Sequence, residues 1–331
     1  MIYVHVPRQG RIERVELAEG DSVPPETLWL DLFQPTIEEK KRIEDAYAVA
    51  LPSHAEMREI EPSNRLYVDG PAIYMTATFI AHADDPNPTS DAITFILTGR
   101  RLITLRYTDP RPITTCAVRV AKQVPLAPSG VEILITLLES FVNRMADILE
   151  KISLDLDGLS QQIFQEKSNQ RRRREGEARD LQVILKGLGR SEDITTTVRE
   201  SLLSVTRLLR FLGQTLDTAA GWDGKDQKGR LRQLRSDIAS LGEHATFESH
   251  KTNFLLDATL GMINIEQNRI IKIFSVAAVI FLPPTLVASM YGMNFQHMPE
   301  LAWLFGYPWA LGLMVVSAVL PYLYFRRKGW L

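Results

Sequence analysis

Cysteine is almost missing from this chain: Cys116 is the only one in 331 residues, so no internal disulfide can form, which fits a reducing compartment. The N-terminal part holds no glycine-rich phosphate loop. Nowhere do a nucleophile, a base and an orienting partner come together in a recognisable pattern, so the chain is not read as an enzyme. Met1–Arg8 lacks an apolar core of signal-peptide length, from which we expect the bulk of the chain to stay on the side of the membrane where it is made. The net charge of −2 gives no whole-chain reason to bind nucleic acid. A basic run, Arg171–Arg174, is followed by Glu175, Glu177 and Asp180 and reads as a solvated helical bend. Charge itself is the last absence: from Ile273 to Phe325 the only charged residue is Glu300.

That uncharged region consists of two runs, Ile273–Tyr291 and Leu301–Phe325, each long enough to cross a bilayer, which takes about 20 helical residues. Arg269 and Lys272 precede the first run, and Arg326, Arg327 and Lys328 follow the second. The loop between them has no Lys or Arg. The positive-inside rule then puts both ends in the cytoplasm and the loop outside. Tyr291, Trp303, Tyr307, Trp309, Tyr322, Tyr324 and Trp330 sit at the edges, as interfacial aromatics do.

The N-terminal residues read as a small α/β domain with a mostly antiparallel sheet. Ile2–Val6 and Arg11–Leu17 predict a hairpin about Gln9-Gly10, and Leu28–Phe33 a short strand. Thr36 with Glu39, and Ser53 with Glu56, have capping-box spacing and predict two helices. Further strands are predicted at Arg65–Val68, Ile73–Ala81, Ala92–Leu97 and Leu102–Tyr107. Asp84 and Asp85, in a proline-containing loop, could offer oxygen ligands to a hard divalent cation, although such loops are commonly just solvated.

Long helices follow. Ser129 and Glu132 form a capping box ahead of Leu134, Leu138, Phe141, Met145, Ile148, Ile152, Leu156, Leu159 and Ile163, a seam of threes and fours that predicts lengthwise helix packing. A second helix is predicted from about Ser191 to Leu216, broken by Gly221–Gly224. The third, beginning with the seam Leu231, Leu234, Ile238, Leu241 and Ala245, meets no proline before Pro283. It reads as a rod continuous with the first span, on the order of 90 Å long at about 1.5 Å per residue. The expected organisation is an α/β domain over 1–125, a helical stalk over 126–268 and a transmembrane part over 269–331. In that last part the first span covers about 270–291, the loop 292–300 and the second span about 301–325.

Asn268, Ser275, Thr285 and Ser289 fall on roughly one face of this rod, with Ile271, Phe274, Ala278 and Leu282 among them and Asp257 three turns earlier. In a lone span such small polar residues would serve helix packing. Two spans cannot enclose a pore, so conduction would need a ring of subunits with the first span lining its axis.

Tyr291-Gly292-Met293-Asn294-Phe295 with Met298-Pro299-Glu300-Leu301 joins the two runs. Before it stand Asn264–Arg269 and Phe281-Leu282-Pro283-Pro284-Thr285, and after it Pro321–Phe325. Together these resemble the CorA family of magnesium and cobalt channels. The likeness is close over about 260–331 and looser upstream, where Trp29-Leu30-Asp31-Leu32 also fits. The resemblance implies a homopentamer with a cytoplasmic α+β funnel, long stalk helices and two C-terminal transmembrane helices in the bacterial inner membrane. It also implies influx of Mg²⁺, with Co²⁺ and Ni²⁺ as alternative ions, gated by cytoplasmic Mg²⁺ bound to carboxylates between neighbouring funnels. Asp257, Asp84 and Asp85 are the candidates for that regulation. Gly292, Met293 and Asn294 would form the filter and Glu300 an acidic outer ring. Gln296 and His297 depart from the acidic residue common after Asn-Phe, which reduces the charge at the mouth.

The chemistry suits Mg²⁺, which sheds water reluctantly, because neutral oxygens such as those of Asn294, Thr285 and Asn268 could accept the hydrated ion. Leu282 and Phe274 would form an apolar constriction. Two other readings stay open. One is a zinc transporter of the related branch, against which stands the lack of thiolate or paired histidines on the pore face. The other is a membrane-anchored coiled-coil scaffold with no transport activity.

Overall fold

The computed structural model describes residues 1–8, 11–18, 20–85, 88–122, 129–164, 177–218, 225–294, 298–299 and 303–330. It divides into two compact units, Met1–Ser168 with Val183–Leu255, and Asn169–Gln182 with Leu256–Leu331. The predicted turns at Gln9-Gly10 and Gly221–Gly224 and the basic run Arg171–Arg174 lie outside the described residues.

In the first unit seven strands make one sheet: β1 (Ile2–Arg8), β2 (Arg11–Leu17), β3 (Trp29–Phe33), β4 (Leu66–Asp69), β5 (Ala72–Ala81), β6 (Thr89–Thr98) and β7 (Arg101–Arg106). Their order is β2-β1-β3-β7-β6-β5-β4. Every pairing is antiparallel except β3 with β7, where Trp29 stands opposite Leu102 and Asp31 opposite Thr104. Alternation along the strands gives the sheet two apolar faces. Leu30, Leu32, Tyr74, Ile96, Ile103 and Leu105 pack with Ile43, Val49, Leu51 and Met57. Those last residues belong to α1 (Ile37–Tyr47), α2 (His54–Met57) and the segment between them. Both helices open with the predicted capping boxes, Thr36 with Glu39 and Ser53 with Glu56. A single turn, α3 (Pro62–Arg65), leads into β4.

The opposite face meets α4 (Arg111–Lys122) and α5 (Gly130–Phe164), with Phe79 of β5 against Phe141 of α5 at a ring separation of 3.9 Å. No pattern in the sequence predicts α4. Its run Ile113-Thr114-Thr115 is β-branched and Pro112 stands in it, yet proline in a first turn removes no helical hydrogen bond, and Ile113, Cys116, Ala117 and Val120 are buried. Beneath it lies a buried polar chain. Trp29 Nε1 donates to Thr104 Oγ1 at 3.0 Å and Thr104 donates to Asp31 at 2.8 Å. Arg106 donates to both Asp31 oxygens, at 2.9 Å each from Nε and Nη2. Burial pushes the Cys116 thiol up to about 12, so it is an inert core residue.

Gly130 is where α5 leaves the sheet. Its N–H donates to Arg100 O at 2.7 Å, and an added Cβ would strike the Arg101 backbone. Along α5 the predicted seam is buried, apart from a half-buried Leu159. The next helix, α6 (Glu177–Thr218), starts some fourteen residues before the predicted Ser191, extended by Ile184 and Leu188 on its buried stripe. α7 (Lys225–Tyr291) is one helix of 67 residues that contains Pro283 and Pro284. Within the first unit α5 and α7 run parallel, since Arg230 bonds Glu139 at 2.8 Å and Lys251 bonds Asp157 at 2.8 Å. α6 runs antiparallel to α7, with Arg235 donating to Leu209 O at 2.7 Å and Ser249 to Glu192 at 2.7 Å. Gly213 makes room for that Arg235 guanidinium.

The second unit holds the end of α7 and α8 (Gly306–Arg327), both long and apolar enough to cross a membrane. α8 begins five residues after the predicted start. Leu301 and Ala302 lie outside the described residues and Trp303–Phe305 form a turn; Pro308 has no N–H to give a preceding turn and so sits naturally near a helix start.

Candidate functional site in the paired C-terminal helices

A covered stripe runs along the membrane-length part of α7, the rest of which is exposed. Val276 is buried, and Ala277, Ile280, Pro283, Pro284, Val287 and Tyr291 are half-buried. Asn268, Ile271, Phe274, Ser275, Ala278, Leu282, Thr285 and Ser289 are all exposed. At about 100° per residue the two sets centre on opposite sides of the helix. α8 has a matching covered stripe of Gly306, Ala310, Met314, Ser317, Pro321 and Phe325. Lys272 Nζ lies 5.8 Å from the Trp330 ring, so the start of the apolar run on α7 stands beside the end of α8 and the spans are antiparallel. One face of α7 therefore meets α8. The other presents polar oxygens between large apolar side chains, with Phe274 72% and Leu282 66% exposed. A bare apolar surface of this kind calls for lipid or another protein surface.

Local chemistry sharpens that face. Pro283 and Pro284 have no N–H, so the carbonyls of Val279 and Ile280 lose their helical donors. Thr285 Oγ1 donates to Phe281 O at 2.7 Å, which turns the hydroxyl's lone pairs outward. At the helix end Gly292 N donates to Ala288 O at 3.0 Å, and a Cβ on Gly292 would come within 3.2 Å of that oxygen. Glycine here serves a close approach rather than a positive φ. Met293 and Asn294 follow, both exposed. Phe295, Gln296, His297 and Glu300 lie outside the described residues.

The three regulatory candidates are not alike. Asp257 is exposed on α7. Asp84 stands amid cations of its own chain: Arg144 Nη2 at 2.6 Å, Arg111 Nη1 at 2.8 Å and Lys151 Nζ at 3.2 Å. The hydrogen bond from Lys151, aided by Arg144 and outweighing burial, holds its carboxyl below the usual carboxylate range. It sits at the edge of a cleft of about 540 Å³ between α5 and α6. The Asp85 carboxylate is exposed 3.3 Å from His82, and its carbonyl accepts from Arg190 at 2.8 Å. Asp84 and Asp85 therefore face different partners. Among the described residues no three His, Cys, Asp or Glu side chains converge to hold a metal ion.

The family model described as CorA-like Mg2+ transporter protein matches residues 25–327. The chain belongs to the CorA-like Mg²⁺ transporter family. A magnesium transport protein CorA from Yersinia pseudotuberculosis is 38% identical over 323 residues, covering 97% of each chain. Among solved structures, the complete CorA magnesium transporter from Methanocaldococcus jannaschii aligns with a TM-score of 0.74 at 18% identity, over 100% of this chain and 99% of that one. The ZntB cytoplasmic domain from Vibrio parahaemolyticus aligns with a TM-score of 0.55 at 11% identity, over 80% of this chain and 98% of that domain. These two likenesses concern the fold alone. The CorA architecture is thus present over the whole chain, as an α+β N-terminal domain, long helices and two apolar C-terminal helices.

In this CorA-family chain the site features that the sequence hides are the cations around Asp84. Arg111, Arg144 and Lys151 are distant from it in sequence and share no motif with it. The only available hint was that Arg144 and Lys151 are seven apart, on one face of a helix.

Proposed function

We propose that the chain forms a homopentameric channel for Mg²⁺ influx across the bacterial plasma membrane, with both termini cytoplasmic and Co²⁺ and Ni²⁺ as alternative ions. The observation that carries this reading is the exposed stripe of α7 opposite its α8-facing stripe. Five copies of that stripe around an axis turn it into a pore wall and give its apolar residues a partner surface. The named magnesium transport relatives, similar over nearly the full chain, support the choice of ion.

In that ring Asn294, set by the close turn at Gly292 and packed by Met293, presents amide oxygens to a hydrated cation at the entrance, with Glu300 as an outer acidic ring. Mg²⁺ keeps its waters because each is costly to remove, and neutral carbonyl-type oxygens bind the hydrated ion weakly enough to release it. Thr285, Ser289, Ser275 and Asn268 repeat such oxygens along the wall, with Ala278 and Ile271 between. Leu282 and Phe274 close it when brought together, by excluding water. A divalent ion gains roughly 4–5 kcal/mol per 100 mV, so membrane potential suffices as the driving force. Cytoplasmic Mg²⁺ closes the pore by bridging carboxylates of neighbouring subunits, of which Asp257 and Asp85 are open to solvent. Asp84 joins such a bridge only by giving up Arg111, Arg144 and Lys151.

The test is ion flux into proteoliposomes of the purified chain, comparing Mg²⁺ with Zn²⁺ at a set potential, with and without a pH gradient. Potential-driven Mg²⁺ entry that ignores the pH gradient is expected. Zinc uptake that follows the proton gradient would move the chain to the zinc branch, and no flux of either ion would favour a scaffold.

A further inference from the structure

We propose that the paired C-terminal helices carry a binding site for the phosphate of an anionic phospholipid, formed by Arg269 and Lys272 of α7 with Arg326, Arg327 and Lys328 at the end of α8, against Trp330. It rests on the reading above only in that the two helices cross a bilayer.

The construction begins at the end of α8. Trp330 N donates to Phe325 O at 3.1 Å and Gly329 N to Arg326 O at 3.2 Å, with Gly329 at φ 69°. This is the Schellman arrangement, in which glycine takes the left-handed position and the residue after it packs back on the helix. Trp330 accordingly stacks on Phe325 with ring centroids 5.3 Å apart. The helix therefore closes its last carbonyls with its own N–H groups, and the Arg326, Arg327 and Lys328 side chains are not needed as caps. All three are exposed.

Trp330 then reaches the other helix, where Lys272 Nζ lies 5.8 Å from its ring. An indole face attracts an ammonium at this distance. The tail thereby fixes an α7 cation beside the α8 cations, and Arg269 lies one turn before it. Among the described residues one acid is paired with this group, Glu266, 3.8 Å from Arg269. Five positive side chains thus lie at the same end of two apolar helices, beside an amphipathic ring suited to the headgroup level. A cluster of four or more cations immediately next to a span attracts anionic headgroups, and guanidinium forks suit phosphate geometry.

The experiment is native mass spectrometry and thermal unfolding of the full chain in detergent with phosphatidylglycerol, phosphatidylcholine or inorganic phosphate added. Phosphatidylglycerol is expected to be retained and to raise the midpoint, whereas phosphatidylcholine and inorganic phosphate do neither. At about 1 kcal/mol per charge, the triple variant Lys272→Gln, Arg326→Gln, Arg327→Gln should bind phosphatidylglycerol about a hundredfold less. A control lowering the net charge equally on the other unit, Arg11→Gln, Lys41→Gln, Arg58→Gln, should bind as the wild type does. If the triple variant unfolds early without lipid, Lys272→Gln alone replaces it, with a loss of about fivefold expected. Equal retention of both lipids, an effect of inorganic phosphate matching that of lipid, an unaltered Lys272 variant or a control that loses as much would each overturn the proposal. Because the readout is lipid and not ion, a chain that binds phosphatidylglycerol yet moves no Mg²⁺ sinks the transport reading and leaves this one standing.

Discussion

His5 offers a test of how the sheet depends on pH. Its side chain is 1% exposed and stacks on Trp29 with centroids 4.0 Å apart at 13°. Burial, with a smaller push from Arg14 and against the pull of Asp31, lowers its pKa from 6.5 to about 4. The unfolded chain therefore binds a proton between these values that the folded chain refuses. Stability from this group is fully present above pH 6.5 and is lost as pH falls toward 4. With one pKa unit equal to about 1.36 kcal/mol, and the folded ring half protonated at pH 4, the loss from pH 7 to pH 4 is about 3 kcal/mol. His5→Phe keeps the stack and removes the titration. Carboxylates shift with pH in both proteins, so the quantity that matters is the difference between them. At about 2–4 °C per kcal/mol, the wild type should lose about 6–12 °C more in thermal midpoint than the variant over that range. The assay is a tryptophan-fluorescence melt of the purified chain at pH 7, 6, 5 and 4. Parallel curves for the two proteins would refute the claim that a buried neutral His5 sets this dependence.

Three further outcomes are expected. Arg106→Met strands the Asp31 carboxylate inside the sheet and should cost about 3–5 kcal/mol in chemical denaturation, and adding Asp31→Leu should recover most of it. Asn294→Ala should abolish Mg²⁺ uptake in proteoliposomes while the oligomer still elutes as the wild type does; full activity would sink the filter role. Asp257→Ala should leave Mg²⁺ entering at internal Mg²⁺ concentrations that silence the wild type, measured as flux against internal Mg²⁺, and unchanged inhibition would count against that residue.

The elements legible in the sequence were those whose signal is local. Thr36 with Glu39 and Ser53 with Glu56 declare helix starts within four residues, and the α5 seam repeats often enough to be read by counting. What stayed hidden was non-local or locally contradictory. α4 forms because Ile113, Cys116 and Val120 find a sheet to cover, a tertiary gain that overrides the poor helix propensity of its threonines. The Asp31–Arg106 pair joins residues 75 apart, and Asp84 meets Arg144 across 60, with no spacing rule to announce either. In the C-terminal helices the polar stripe was visible as a period. That the half-buried Ile280, Pro283 and Val287 lie on its far side needed the second helix in place.

The spacing on α7 also has a geometric consequence. Asn268, Ser275, Leu282 and Ser289 are each seven residues apart, as are Asp257, Asn264, Ile271, Ala278 and Thr285. A straight helix with 3.6 residues per turn rotates such a row by about 20° every heptad, so copies that keep the row in register must wind around one another with a left-handed twist. Inserting one residue between Ser275 and Leu282 would turn every later member about 100° away from the earlier ones. The proposed permeation path is thus written as a phase, and it would tolerate exchange of side chains far better than a change in their count.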